Sequence, residues 1–427
     1  MKPAAPTGKQ QLSRGDEQDW YRPVIILVGM CGLFAALGIG RFALGMLLPA
    51  MGEALALGYT EMGVIGTVNF CGYLAAVLLC GRMSRIFGLR LLIFLALLLV
   101  GVSMVLIGMI EQIGVIMLLY CLTGIGSAWA NIPIMALVAA WFPPQVRGRA
   151  SGMVVVGNGL GIVMAGHLVP LLNSSATGWR LSWLVLGSIA LLMAGICGLF
   201  ARNRSTAGST PSERTETRQT AGGYQTHEAR LRGLVKRCAA IYFLFGSTYV
   251  IYLTFLVTSL VQERGFTEES AGALWSVVGM LSLGSGPLFG WFSDRFGRKR
   301  GLFLVFCIQA TAYVSAMAVL PLPFLYLSIV CFGIVAWSIP SIMAALIGDF
   351  AGPERTAALF GLVTFVFGIG QILGPYGAGL LAEISGGFSV SFLLAAVLAS
   401  LAAILALRLP LEQKNNTPSP LIRPEKG

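Results

Sequence analysis

Charge is what this sequence has least of. Asp, Glu, Lys and Arg together make up 11% of its 427 residues, against roughly 25% in an average soluble domain. A soluble chain of this length needs a charged shell around its core. The composition therefore excludes a soluble enzyme, a nucleic-acid reader and a disordered protein. Acidic residues are scarcer still, 18 Asp and Glu beside 29 Lys and Arg. Histidine occurs twice, at His167 and His227, so a histidine metal site is not expected. The eight cysteines fall inside apolar runs, and no pair has metal-ligand spacing. They read as small buried hydrophobes. The first 20 residues lack an apolar core and a small-residue cleavage site, so no cleavable signal peptide is expected. There is no Ser/His/Asp or P-loop pattern. The string GNGLG at 157–161 follows no strand and is not a dinucleotide fingerprint. No cofactor is expected.

What is present is apolar sequence, 56% of the chain. A transmembrane helix needs about 20 mainly apolar residues. Twelve such spans can be counted: 24–50, 61–81, 88–110, 112–141, 150–172, 181–201, 238–261, 271–292, 301–320, 323–347, 358–382 and 387–408. One gap is long and polar, 202–237, and reads as a flexible linker. The expected organisation is thus a tail (1–23), a six-helix bundle (24–201), the linker (202–237), a second six-helix bundle (238–408) and a second tail (409–427). Of the 29 Lys and Arg, only Arg180 and Arg264 lie in the gaps after odd-numbered spans, and Arg41 lies within a span. Positive charge marks the cytoplasmic side, so both termini and the linker are expected there. The net charge of +11 is a topology signal; the bilayer is the expected partner, and nucleic acid is not.

The two halves repeat at a constant offset of 209 residues. GRMSRIFGLR at 81–90 aligns with GWFSDRFGRK at 290–299. The same offset puts Gly124 on Gly333, Pro144 on Pro353, and Gly152, Gly159 and Gly161 on Gly361, Gly368 and Gly370. Parallel repeats of this kind are used by secondary transporters whose site lies between the halves, near the bilayer midplane. The fold class read from the sequence is an all-α membrane protein with twelve transmembrane helices in two pseudo-symmetric six-helix bundles.

The segment Gly290-Trp-Phe-Ser-Asp294-Arg295-Phe-Gly297-Arg298-Lys299 resembles the cytoplasmic signature loop of the major facilitator superfamily, in the expected gap of a twelve-span chain. The first-half copy departs from it, with Arg85 in place of the Asp and Ile86 in place of the Arg. Gly38-Ile-Gly40-Arg41-Phe42-Ala43 also looks like the first helix of a poorly characterised bacterial branch. The resemblance implies a multi-pass protein of the bacterial inner membrane. It also implies a functional monomer that moves a small molecule by alternating access.

Arg41 stands out. It lies near the middle of span 1, where an Arg costs about 2.5–3.5 kcal/mol on insertion scales. Such a residue usually faces a cavity, and its planar fork can hold a carboxylate bidentately. The alternative is a structural Arg satisfied by carbonyls or polar neighbours. Span 1 also resembles that of superfamily anion exchangers, which carry an Arg eight residues before a Pro, as Arg41 and Pro49 do. No Asp or Glu sits mid-membrane, so a bound cation would find no formal counter-charge. Other mid-membrane polar residues are Asn69, Asn131, Asn158, Tyr249, Tyr252, Gln309, Trp337 and Gln371. By the resemblance, spans 1, 4, 7 and 10 line the cavity, with 2, 5, 8 and 11 beside them. That makes Asn131, Asn158, Tyr249, Tyr252, Trp337 and Gln371 substrate-contact candidates; interhelical bonding or packing is the alternative for each. Tyr249 and Tyr252 are i,i+3 neighbours and are expected to share a helix face. His167 is a candidate for a proton-linked role or a plain hydrogen-bonded helix histidine. The pairs Gly157/Gly161 and Gly370/Gly374 have the spacing of close helix packing.

In the superfamily the signature Asp approaches a helix start in the other half. This predicts a cytoplasmic gate of Asp294 with Arg147 or Arg149, and a polarity-exchanged pair of Arg85 with Asp349 or Glu354; the alternative for Arg85 is a plain topology charge. The reading is a secondary active transporter of a small organic anion, a mono- or aromatic carboxylate, working by proton coupling or exchange. Two other readings stay open: efflux of neutral or hydrophobic compounds with Arg41 structural, and a non-transporting sensor or lipid-handling protein.

Overall fold

The computed structural model describes residues 8–174, 178–203 and 221–409; side chains are described from residue 20 onward, except those of 144–145, 221–230, 352–354 and 357. The described residues form helices and no strand. Among them, nine helices are individually long and apolar enough to cross a membrane. The count is ten when Glu268–Ser282 and Ser285–Phe296, bent by 41°, are taken as one span. The helix Tyr59–Ile107 has 49 residues. At about 1.5 Å per residue that is more than twice a bilayer core. It turns at Gly88, whose φ of 73° and ψ of 164° only glycine adopts readily, and so holds spans 2 and 3. Arg298–Ala316 opens with three basic residues, which lower its hydropathy, and is span 9. The twelve expected spans are all accommodated.

Span 1 is helical to Leu33, π-helical over Phe34–Ile39, turned at 40–43 and helical again over Leu44–Ala54. The amides of Gly40 and Phe42 reach back five residues, to the carbonyls of Ala35 and Leu37, at 3.0 Å each. The distortion falls where Gly38 meets Gly161 of span 5. A Cβ on Gly161 would lie 2.4 Å from the Gly38 Cα, so the small residues are what let the two backbones meet. Span 7 meets span 11 in the same way, with Gly370 and Gly374 against the carbonyls of Phe243 and Ser247.

Among the described residues, the halves meet along spans 2 with 11 and 5 with 8, toward the end that carries Thr60 and Glu383. Gly63 of span 2 lies against Pro375 and Gly379 of span 11, and Gly272 of span 8 lies against Gly166 and Pro170 of span 5. Toward the signature-loop end, the repeat-related glycines Gly81, Gly290, Gly152 and Gly361 have nothing within 4 Å of a Cβ position. Span 5 packs on Glu268–Ser282, while Ser285–Phe296 turns away to pack within its own half. Among the described residues the two seams are closed at the end that carries Thr60 and Glu383, and they part toward the end that carries the signature loop.

Candidate functional site

The break in span 1 delivers Arg41 to the interface of the halves. Gly45, one turn further on, lies against the Leu253 carbonyl of span 7. Because 44 and 253 are related by the repeat, the pseudo-two-fold axis passes beside this contact. The repeat mate of Arg41 is Val250; the symmetric frame thus carries the charge on one side only.

Arg41 is 7% exposed. Its guanidinium lies over two rings of span 2, 4.1 Å from the Tyr73 centroid and 4.6 Å from that of Phe70. Its Nε donates to Asn69 Oδ1 at 3.3 Å. Asn69 is oriented in turn by donating to the Tyr120 carbonyl at 3.0 Å, and the Tyr120 hydroxyl donates to the Arg41 carbonyl at 2.9 Å. One guanidinium nitrogen, Nη2, is buried without a hydrogen-bond partner. No carboxylate pairs with Arg41 among the described residues. Arg41, Phe42, Phe70 and Tyr120 line one wall of a cavity of about 20 Å³, with Val250, Leu253 and Thr254 opposite. That is room for about one water.

The other candidates fall into three groups. Asn131 donates to the Tyr73 hydroxyl at 3.0 Å, so it joins the Arg41 cluster through that ring. Tyr249 accepts a hydrogen bond from the Gln371 amide, stacks on Phe367 at 5.8 Å and meets Trp337 edge-on at 6.4 Å. Trp337 sits where span 10 breaks and packs at 5.2 Å on Phe42, the neighbour of Arg41. Its Nε1 has no partner, and neither has the buried Oδ1 of Asn158. Tyr252 lies apart: it bonds Ser328 at 2.9 Å and stacks on Phe332 at 4.1 Å, inside the second bundle. Positions i and i+3 differ by about 60° around a helix, enough to send the two tyrosines to different faces. Gln309 is fully buried in span 9 with neither amide atom bonded.

His167 is exposed, and its Nδ1 lies 2.8 Å from Ser276 Oγ across the outer interface. The candidate gate residues are spread apart in this structure. Asp294 and Asp349 both engage Arg298, the latter at 2.9 Å from Nε. Burial works against that guanidinium's charge, but the two acids outweigh it and raise its pKa. Arg147 donates to the carbonyls of Ala139 and Phe142 in its own half, and Arg85 to that of Gly81 in its own helix. Arg149 is exposed. The Glu354 side chain lies outside the described residues.

Sequence reasoning missed the ring platform. Tyr73 and Phe70 look like ordinary apolar-span aromatics; the available signal was that Tyr73 follows Asn69 by one helical turn.

Residues 33–407 match the family described as uncharacterised MFS-type transporter YbfB. The chain belongs to this family. It is therefore a multi-pass membrane transporter of the major facilitator superfamily and not an enzyme. Among curated relatives, the hexuronate transporter of Bacillus subtilis is 26% identical, over 90% of this chain and 94% of its own. The probable sulfoacetate transporter SauU of Cupriavidus necator is 25% identical, over 90% and 93%. The shikimate transporter of Escherichia coli is 27% identical, over 66% and 65%. Among solved structures, a bacterial homologue of the lysosomal transporter Spinster, captured inward-facing and unoccupied, superposes with a TM-score of 0.70 at 18% identity, covering 91% of this chain and 97% of its own. This MFS-type chain has the same fold.

Proposed function

We propose that this transporter moves a small organic monoanion, a mono- or aromatic carboxylate, with Arg41 as the group that recognises its charge. One observation carries the reading: a buried guanidinium between the halves has a free N–H edge and no acid beside it among the described residues. A buried guanidinium met only by an amide oxygen and two ring faces still lacks a counter-charge, and an arriving carboxylate supplies it. The platform of Phe70 and Tyr73 fixes the orientation of the planar fork, and Phe42, Trp337, Tyr249 and Phe367 offer apolar faces to the rest of the substrate. The relatives named for hexuronate, sulfoacetate, shikimate and monocarboxylates support an organic acid as cargo. Asn131 and Gln371 stand beside the rings as candidate contacts. The site belongs to a monomer in a bacterial inner membrane with both termini cytoplasmic. Transport is by alternating access, as proton symport or exchange.

The test is a thermal-stability screen of the purified chain against paired small carboxylates and their neutral amides. A ligand of the folded state at a hundred times its Kd stabilises by about 2.7 kcal/mol. The expected outcome is stabilisation by acids and not by their amides. Stabilisation by the amides alone would transfer the site to neutral cargo.

A further inference from the structure

The outer closure obeys the sequence repeat contact by contact. Nearest the membrane centre, Leu74 fills the space over Gly368, and its mate Leu283 fills the space over Gly159. One turn outward or more, the Thr67 hydroxyl donates to the Ile372 carbonyl at 3.0 Å, and its mate Ser276 donates to the Val163 carbonyl, mate of Ile372, at 3.1 Å. Then come Gly63 against the Pro375 carbonyl and Gly272 against that of Gly166. In each case 209 residues separate both partners from their counterparts. Two seams, spans 2 with 11 and spans 5 with 8, are thus closed by the same ladder.

At the rim the ladder ends differently. Glu383 Oε2, at the outer end of span 11, accepts from the Thr60 amide at 3.2 Å. Thr60 is in the first turn of its helix, where a carboxylate meets unpaired N–H groups and the positive end of the dipole. On the other seam Glu268 Oε2 accepts from Asn173 Nδ2 at 2.7 Å. Asn173 is fixed by Ser182, whose hydroxyl donates to its Oδ1 at 2.8 Å. Thr60 falls one residue from the mate of Glu268, and Glu383 one from the mate of Asn173, on offset positions 59 and 382. Both acceptors are glutamates of the second half; both donors are N–H groups of the first.

We propose that Glu383 and Glu268 are the latch of the outer gate, and that outward opening requires both carboxylates to let go. The rungs beneath them are neutral and packed; the rim is where charge-assisted bonds are solvent-reachable and so breakable. The two latches sit on separate seams, so their contributions combine independently. The inference does not depend on what the carrier moves.

Hydrogen–deuterium exchange of the full-length chain, read by mass spectrometry, tests it without a ligand. Partly exposed charged bonds are worth about 1 kcal/mol or less. Glu268→Ala and Glu383→Ala should therefore each raise exchange at 59–67, 163–173, 268–276 and 372–383 by about threefold, and the double variant by about tenfold. The cytoplasmic stretches 75–88 and 284–296 should become more protected, because the population moves to the outward-open side. Glu268→Gln and Glu383→Gln keep the acceptor and the size. They should give smaller shifts of the same sign, and they decide the matter if the Ala variants fail to fold. Unchanged exchange at the outer ends, or a rise at both ends alike, would overturn the proposal.

Discussion

Replacing Arg41 separates charge from shape. The guanidinium of wild type spreads over two rings at 4.1 and 4.6 Å and uses Nε on Asn69. On the proposed reading, its remaining N–H edge is the one left for a substrate carboxylate. A hydrogen bond to a charged group nets about 1.5–3 kcal/mol, which is about 10- to 150-fold in affinity. Arg41→Lys keeps the charge but loses the fork and the flat stacking surface. It should lower kcat/KM for the acid by about tenfold or more. Arg41→Ala removes both and should bring uptake to background, a loss of about 100-fold at the upper end of the same range. Folding should suffer little. The ring contacts are worth about 1–2 kcal/mol each, and their loss is offset by relief from burying a charge, about 2.5–3.5 kcal/mol on insertion scales. The assay is counterflow in proteoliposomes with an acid that stabilises the wild-type chain, alongside membrane yield. Wild-type counterflow by the Ala variant at normal yield would refute the reasoning.

Three further outcomes follow from named contacts. Changing each Asp and Glu to its amide should leave the pH dependence of uptake in place, because none lies in the membrane interior; one amide that uncouples acid from protons contradicts this. Arg85→Glu should impair uptake several-fold and Asp349→Arg in the same chain should restore part of it, if Asp349 leaves Arg298 for Arg85 when the cytoplasmic side closes; failure of every such pair to rescue retires the exchange. Gly161→Leu should lower the melting temperature of the purified chain by several degrees, since even its Cβ would sit 2.4 Å from the Gly38 backbone and overpacking costs about 1–3 kcal/mol; a wild-type melt would mean that the spans part without penalty.

Much of the architecture was legible because bilayers impose long apolar runs and repeats impose a constant offset. The offset that aligned Gly159 with Gly368 in the sequence is the one that pairs their contacts across the seams. The site was legible only where polarity stood out against the apolar runs. Arg41 was visible on that ground. Phe42, Phe70 and Tyr73 were not, because an aromatic in an apolar helix looks the same whether it packs a core or floors a site. Tyr252 illustrates the converse: its hydroxyl drew attention, yet Ser328 and three rings hold it inside the bundle. The gate pairing rested on loops whose partners change with conformation, and in this state Arg298 holds both acids.

The one-sided placement of Arg41 beside the pseudo-two-fold axis has an electrical consequence. On the proposed reading, the shut seams would carry the fall of the membrane voltage, which would put the guanidinium at the potential of the cytoplasm. Once the outer side opens and the inner side shuts, the same group sits at the external potential. If the unloaded carrier turns over, it would carry one positive charge through the field without Arg41 leaving its helix. That transfer is worth about 2.3 kcal/mol per 100 mV, about fiftyfold in the ratio of the two states. On the proposed reading, an interior-negative potential would favour the unloaded carrier facing inward, and a bound monoanion would cancel the charge and free it from the voltage.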